Sequence, residues 1–410
     1  MNLIPRWQYP LINEARKTRR VLMVEGARQC GKTTLARHLK GDTVYRTLDD
    51  IAMRESVAND LKAFLQTEHS MMIIDEVQRA PDLIPEIKRI VDNDTRSGQF
   101  LLTGSAHIPS LPHVQESLAG RIRRIRLRPF TQGEMNGAQP DFLERILAKK
   151  MSRPDTNFTK HDLLSRALRG GYPEVQPLNT REQRRWHQDY ITAILSRDLA
   201  DVANIRKHDS MQKLLQVIAA WSSKFMDTSA IRSALSIRRP TLENYLSALQ
   251  TLFLIERLPA WTTTDYARVG KRDKLFMTDS GLMASLLRYS GNPKNLNDDQ
   301  TGKLAETFVY CELQAQIDVS DGRFVMYHYR DNEKREIDFL IDDEDGGFIG
   351  IEVKAGLTVR SDDFKHMRWF ADNLITDNKP FYGIVLYSGN DIIPFGKNMW
   401  AVPTDCLWHS

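Results

Sequence analysis

Three short, almost uninterrupted apolar runs stand in the first quarter of the chain: VLMVEG (21–26), MMIID (71–75) and FLLTGS (100–105). They are too short for buried helices and too continuous for strands wet on one face. They predict strands of a parallel sheet covered on both sides. Between them, KTTLARHLK and PEIKRIVDN carry apolar residues at helical spacing, and strand–helix alternation of this kind is the signature of an α/β fold. IRRIRLRPF (122–130) predicts a further strand before a break containing proline and glycine.

From about 136 to 220 the pattern turns helical and strongly polar, interrupted by GGYPE (170–174). Residues 229–261 read as helix, short turn, helix, with Ser236–Arg239 as the turn and Pro240 in the first turn of the second helix. A second set of β-type runs begins near 324: FVMYHY, EIDFLI, FIGIEVKA and FYGIVLYS.

With 410 residues, 41% of them hydrophobic and 27% charged, the chain has globular composition and room for several domains. Three widely spaced cysteines, Cys30, Cys311 and Cys406, give neither a disulfide framework nor zinc spacing, as expected in a reducing cytoplasm. No apolar stretch approaches the length of a membrane span, so no membrane partner is expected. The net charge of +4 names no partner by itself. It conceals an arginine-rich run at Arg121–Arg128 and an acidic turn at 342–345, which nearly cancel.

Chemistry enters at Gly26-Ala27-Arg28-Gln29-Cys30-Gly31-Lys32-Thr33-Thr34, which fits G-x4-G-K-[ST] and sits between a strand and a helix. The glycines allow backbone N–H groups to turn toward phosphate oxygens, and the helix start adds partial positive charge. Lys32 is expected on the β/γ-phosphates of ATP and Thr33 on Mg²⁺. Asp75 and Glu76 end the second apolar strand, as metal holder and general base respectively. Thr103 and Ser105 end the third strand, where a hydroxyl can sense phosphate or where a simple turn would serve as well. Arg121 is the candidate for stabilising charge on the transferring phosphoryl group, within the chain or across a subunit contact.

EIDFLIDDEDGGFIGIEVKAG (336–356) reads as a hairpin centred near Asp345, which sets Asp338 opposite Glu352. Glu352 and Lys354 share a strand face by alternation, and Glu306 on the preceding helix is a fourth member. Acid-x-Lys alone is cheap, at about three chance occurrences in a chain of this size. The register and Glu306 supply the specificity. Asp338, Glu352 and Glu306 are expected to hold Mg²⁺, with Lys354 positioning water or charge for phosphodiester cleavage.

GARQCGKTT, LDD (48–50), IIDEVQ, LLTGS, LAGR and GGYPE together resemble a group of prokaryotic AAA-type ATPases with a nuclease-like C-terminal domain. Ala27 and Cys30 depart from the proline and valine usual there, without removing a catalytic group. The C-terminal set resembles the restriction-endonuclease-like PD-(D/E)xK superfamily, with Ile337 in place of its proline.

The resemblance implies an α/β chain with four parts. A P-loop ATPase core (1–135) would precede a helical lid (136–190), a winged-helix unit (191–265) and a restriction-endonuclease-like domain (266–410). In the winged helix, Arg238, Arg239, Thr241, Asn244 and Tyr245 stand where a recognition helix meets DNA, or the unit packs beside the core. ATP-driven action on nucleic acid is the leading expectation. A nucleotide-dependent switch with a cleavage-inactive C-terminal domain, serving a protein partner or a second copy, is the alternative.

Overall fold

The computed structural model describes residues 3–105, 118–198, 208–264, 271–375 and 379–409. The chain divides into two compact units: residues 1–130 with 248–254, and residues 131–247 with 255–410. The parts expected at 136–190, 191–265 and 266–410 fall in the second unit, apart from 248–254.

The first unit is built on five parallel strands: β1 (Val21–Glu25), β2 (Thr43–Thr47), β3 (Met71–Asp75), β4 (Phe100–Gly104) and β5 (Ile122–Arg126). Their order is β2-β3-β4-β1-β5. Alternation along each strand feeds two cores. Leu22, Val24, Met71, Ile73 and Leu101 pack with Ile12, Leu35 and Ala36 from helices Gln8–Thr18 and Lys32–Arg37. Val21, Met23, Met72, Ile74 and Leu102 pack on the other side with Val57, Ile84, Ile87 and Val91. Every residue of β1, β3 and β4 is buried, which explains their unbroken apolar character. β2 is half-buried throughout, lies at the sheet edge and carries no such run.

The second unit holds two sheets. In the smaller one β6 (Lys224–Phe225), β8 (Lys274–Met277) and β7 (Ile255–Leu258) pair antiparallel in that order. Helices His208–Trp221, Thr228–Leu235 and Arg239–Thr251 come before or between these strands in sequence. The strands of the larger sheet are β9 (Phe324–Arg330), β10 (Glu336–Asp343), β11 (Phe348–Val353), β12 (Phe381–Tyr387), β13 (Ile393–Gly396) and β14 (Met399–Pro403). Their order is β13-β14-β12-β11-β10-β9. β9, β10 and β11 are joined antiparallel, and β12 runs parallel to β11. Met367 and Phe370 of helix Lys365–Leu374 close one face over Leu340, Phe348, Phe381 and Val385.

GGYPE has a structural task in this unit. Asp279 caps helix Ser280–Leu286 through Leu282 N–H at 2.7 Å and accepts Gly171 N–H at 2.7 Å. A Cβ on Gly170 would stand 2.4 Å from Asp279 Oδ1, so only glycine lets the two segments meet.

Candidate functional site

The loop after β1 is shaped to hold an anion. Gln29 (φ 59°) and Gly31 (φ 103°) take left-handed conformations, a backbone alternation that turns successive N–H groups to one side. Gly26 must lack a side chain, because a Cβ there would lie 2.0 Å from Leu127 O. Ala27 and Cys30 are buried, Arg28 is half-buried and Gln29 is exposed. The buried Arg6, which the sequence reading overlooked, braces the loop. Its guanidinium donates to Cys30 O at 2.9 Å and Arg128 O at 2.6 Å. Lys32 is buried and reaches back to Gly26 O (2.9 Å) and Ala27 O (2.8 Å). Thr33 and Thr34 lie in the first turn of helix Lys32–Arg37.

Three hydroxyls converge on the buried carboxylate of Asp75. Thr33 Oγ1 donates to Oδ2 at 2.8 Å, Tyr45 O–H donates to the same oxygen at 2.6 Å, and Thr103 Oγ1 donates to Oδ1. Thr103 Oγ1 also accepts Glu76 N–H at 3.1 Å, which supports Glu76 in its left-handed conformation (φ 59°, ψ 45°). The Glu76 carboxylate is held by Gln78 and by Ser105 Oγ at 3.2 Å. Lys32, Thr33, Asp75, Glu76, Thr103 and Ser105 are thus gathered at one end of the sheet. Tyr45, missed from sequence, joins them from β2. Burial and its bond to Asp75 raise its phenol above the usual value.

Arg121 is not brought there. It precedes β5, and its carbonyl accepts Val21 N–H at the start of β1. The phosphate loop follows the end of β1, about 16 Å away along the strands. The guanidinium pairs instead with Asp92. A role for Arg121 on its own chain's nucleotide is therefore corrected: strand polarity puts it at the wrong end of the sheet.

Mg²⁺ fits beside the loop. The Thr33 hydroxyl and the Asp75 carboxylate, already 2.8 Å apart, are hard oxygen donors of the kind it takes.

The second candidate site forms in the second unit. The hairpin has the expected register, Phe339 opposite Ile351, which sets Asp338 against Glu352. A register shift between Ile337 and Leu340 against β9 places Asp338 at a bulge. Asp338 Oδ2 accepts Val353 N–H at 3.1 Å, and Lys354 Nζ donates to Glu352 Oε1 at 3.2 Å. Beside Lys354 opens a cavity of about 480 Å³, whose lining includes Lys160, Thr301, Thr358, Arg360 and Asp363.

One residue there was not anticipated. Lys274 of β8, with a side chain only 2% exposed, contacts Glu306 Oε1 at 2.6 Å, Asp338 Oδ1 at 3.1 Å and Glu336 Oε1 at 3.2 Å. Glu306, Asp338 and Glu352 are the residues expected to hold Mg²⁺. An ammonium lies against Glu306 and Asp338, and Glu352 turns to Lys354. Among the described residues, no three His, Cys, Asp or Glu side chains are grouped to hold a metal ion. Burial, then the charge of Asp338, pushes both Glu306 and Glu352 up to about 8. Against the lowering effect of burial, the charges of Glu306, Asp338 and Glu336 raise Lys274 well above its usual value.

In the helix Arg239–Thr251, Arg238 just before it, Arg239 and Asn244 are exposed and Thr241 is half-buried. Tyr245 is buried and does not reach the surface. Cys30 and Cys406 are buried and Cys311 is half-buried. No helix among the described residues is long and apolar enough to cross a membrane.

Three family models match successive parts of the chain. The AAA domain covers residues 18–136, and domains of unknown function DUF8612 and DUF4143 cover 160–292 and 301–407. Uncharacterized proteins of Mycobacterium tuberculosis (strain ATCC 25618 / H37Rv) and Mycobacterium bovis (strain ATCC BAA-935 / AF2122/97) are each 26% identical over 391 residues. The matches span 94% of this chain and 80% of either relative. Among solved structures, AMPPCP-bound DnaA from Aquifex aeolicus matches at 12% identity and a TM-score of 0.31, over 61% of this chain and 96% of that one. Thermotoga maritima RuvB matches at 19% and 0.27, over 62% and 88%. Residues 18–136, which carry the phosphate-binding loop and the acid-ended strand on a parallel sheet, match the AAA domain family model.

Proposed function

We propose that the chain binds ATP with Mg²⁺ and hydrolyses it, and that turnover is coupled to an action on nucleic acid through the second unit. The observation that carries the first part is the contact of Thr33 Oγ1 with Asp75 Oδ2, with Glu76 following Asp75. Thr33 and Asp75 would hold Mg²⁺, which neutralises charge on the β- and γ-phosphates when bound. Lys32, released from its own loop carbonyls, reaches the same phosphates. Glu76, released from Gln78 and Ser105, takes a proton from the attacking water, and the Thr103 hydroxyl fixes the distance between Glu76 and Asp75.

The coupling rests on element order. Helix His208–Trp221, β6, helices Thr228–Leu235 and Arg239–Thr251, and β7 and β8 follow one another as in a winged helix, with Arg238, Arg239 and Asn244 exposed. Helix Asp298–Val319, β9 to β11, helix Lys365–Leu374 and β12 support the restriction-endonuclease-like reading. A second reading, a nucleotide-dependent switch whose C-terminal domain binds a partner without cutting, is favoured by Lys274 among the acids.

ATP turnover and DNA cleavage measured together, with Mg²⁺ or Mn²⁺, separate the two readings for wild type, Lys32→Ala and Lys354→Ala. DNA-stimulated turnover lost in Lys32→Ala is expected. Slow turnover indifferent to DNA, with no cleavage of any substrate, leaves the switch. Turnover unchanged by Lys32→Ala removes the ATPase assignment.

A further inference from the structure

A cluster of carboxylates on a nuclease-like sheet ordinarily signals divalent metal, because like charges held this close need a cation. Here the cation is supplied by the chain. Lys274 comes from β8 of the small sheet, and its acids come from helix Asp298–Val319 and from β10. Its ammonium has three N–H donors and three carboxylates within reach, at 2.6, 3.1 and 3.2 Å.

The surrounding groups share these acids with further cations and donors. Asp338 Oδ2 is committed to Val353 N–H. Glu352 is paired with Lys354, and Lys354 also lies 3.9 Å from Asp363. Arg330 stands 3.8 Å from Glu336. Mg²⁺ or Ca²⁺ requires about six oxygen ligands at 2.0–2.6 Å. A divalent ion placed among these acids would also sit within a few ångströms of a buried ammonium and meet strong repulsion. The remaining neighbours do not compete for the role. His328 faces Lys274 from β9 with Nε2 at 3.0 Å from Arg272 O, and the Phe225 ring lies 5.6 Å from the ammonium.

We propose that Lys274 is the resident cation of this cluster: it occupies the place between Glu306, Glu336 and Asp338 that a divalent metal would take, and the cluster is assembled without metal. The expected class of ligand changes with it. A cluster filled by its own ammonium has no divalent ion to polarise a phosphodiester, which favours the reading in which this domain binds a partner over the one in which it cuts. This rests on the nuclease-like reading of the second unit only for which metal is displaced, and it is independent of ATP hydrolysis by the first.

The direct test is equilibrium dialysis of Mn²⁺ against the nucleotide-free full chain carrying Asp75→Asn, which disables the P-loop metal position. The expected result is no bound Mn²⁺ that disappears on adding Asp338→Asn or Glu352→Gln. One Mn²⁺ per chain, displaced by either substitution, overturns the proposal whatever the ATPase assay gives. The second arm is thermal unfolding. Lys274→Met should lower the midpoint by about 5–9 °C, and adding Glu306→Gln should recover a substantial part by removing a buried acid left without its cation. An unchanged midpoint in Lys274→Met, or a further fall in the double variant, contradicts the role. If Lys274→Met does not fold, the dialysis decides alone.

Discussion

Thr103→Val isolates one hydroxyl in the nucleotide site while nearly conserving shape. Thr103 is fully buried, and its Oγ1 makes two bonds: it donates to Asp75 Oδ1 and accepts Glu76 N–H at 3.1 Å. Valine removes both. Asp75 keeps Thr33 and Tyr45 on Oδ2, so the carboxylate stays in place but loses a donor from its other oxygen. Glu76 N–H is left without this acceptor, at a residue already in the left-handed region. A hydrogen bond to a charged group and a buried unmet donor together cost about 2–3 kcal/mol. If that loss is expressed in the transition state, turnover falls about 30- to 150-fold. Nucleotide binding, which depends on the backbone loop and Lys32, should change by less than about threefold. Steady-state phosphate release gives kcat, and fluorescent-nucleotide titration gives Kd. Wild-type kcat in Thr103→Val would show that Thr103 does not set the geometry of Asp75 and Glu76.

Two further outcomes concern the second unit. Gly170→Ala should lower stability by about 3 kcal/mol in urea unfolding, because positive φ (+74°) and a Cβ 2.4 Å from Asp279 Oδ1 combine. Gly137→Ala, at φ +70° with nothing within 4 Å of the added Cβ, should cost only about 1 kcal/mol. A Gly170→Ala cost no greater than that of Gly137→Ala dismisses the lock between GGYPE and Asp279. The second outcome concerns His187, which is buried and held by burial at about 4, below its usual value. Its unfolded form binds a proton first, so stability present above pH 6.5 is lost as pH falls through 4, by about 3 kcal/mol. His187→Leu should flatten that acid limb of a stability–pH curve, and an unchanged slope would contradict the assignment.

Much of the first unit was legible because its signals are local. β1, β3 and β4 are buried on both faces, so each announces itself as an apolar run, and the phosphate loop is contiguous. The C-terminal register was legible for a related reason: a turn centred at Asp345 fixes Asp338 against Glu352 by counting. What escaped lies far away in sequence. Lys274 stands 32 residues before the nearest of its acids and sits in KRDK (271–274), which reads as a solvated charge run. Tyr45 belongs to a half-buried edge strand without a strong pattern. β13 and β14 are four and five residues long, and no run of their own marked them. Arg121 was misplaced although polarity was available. It precedes a strand, whereas groups that meet a nucleotide in a parallel sheet follow the strand ends.

The proposed hydrolysis of ATP by residues 18–136 rests on Lys32, Thr33, Asp75 and Glu76. The measurement that bears on it most directly is Mg-ATP turnover by Glu76→Gln beside wild type, with nucleotide binding measured on the same samples. Retained binding and a kcat at least about 100-fold lower are expected. Turnover of Glu76→Gln at the wild-type rate would contradict the proposal.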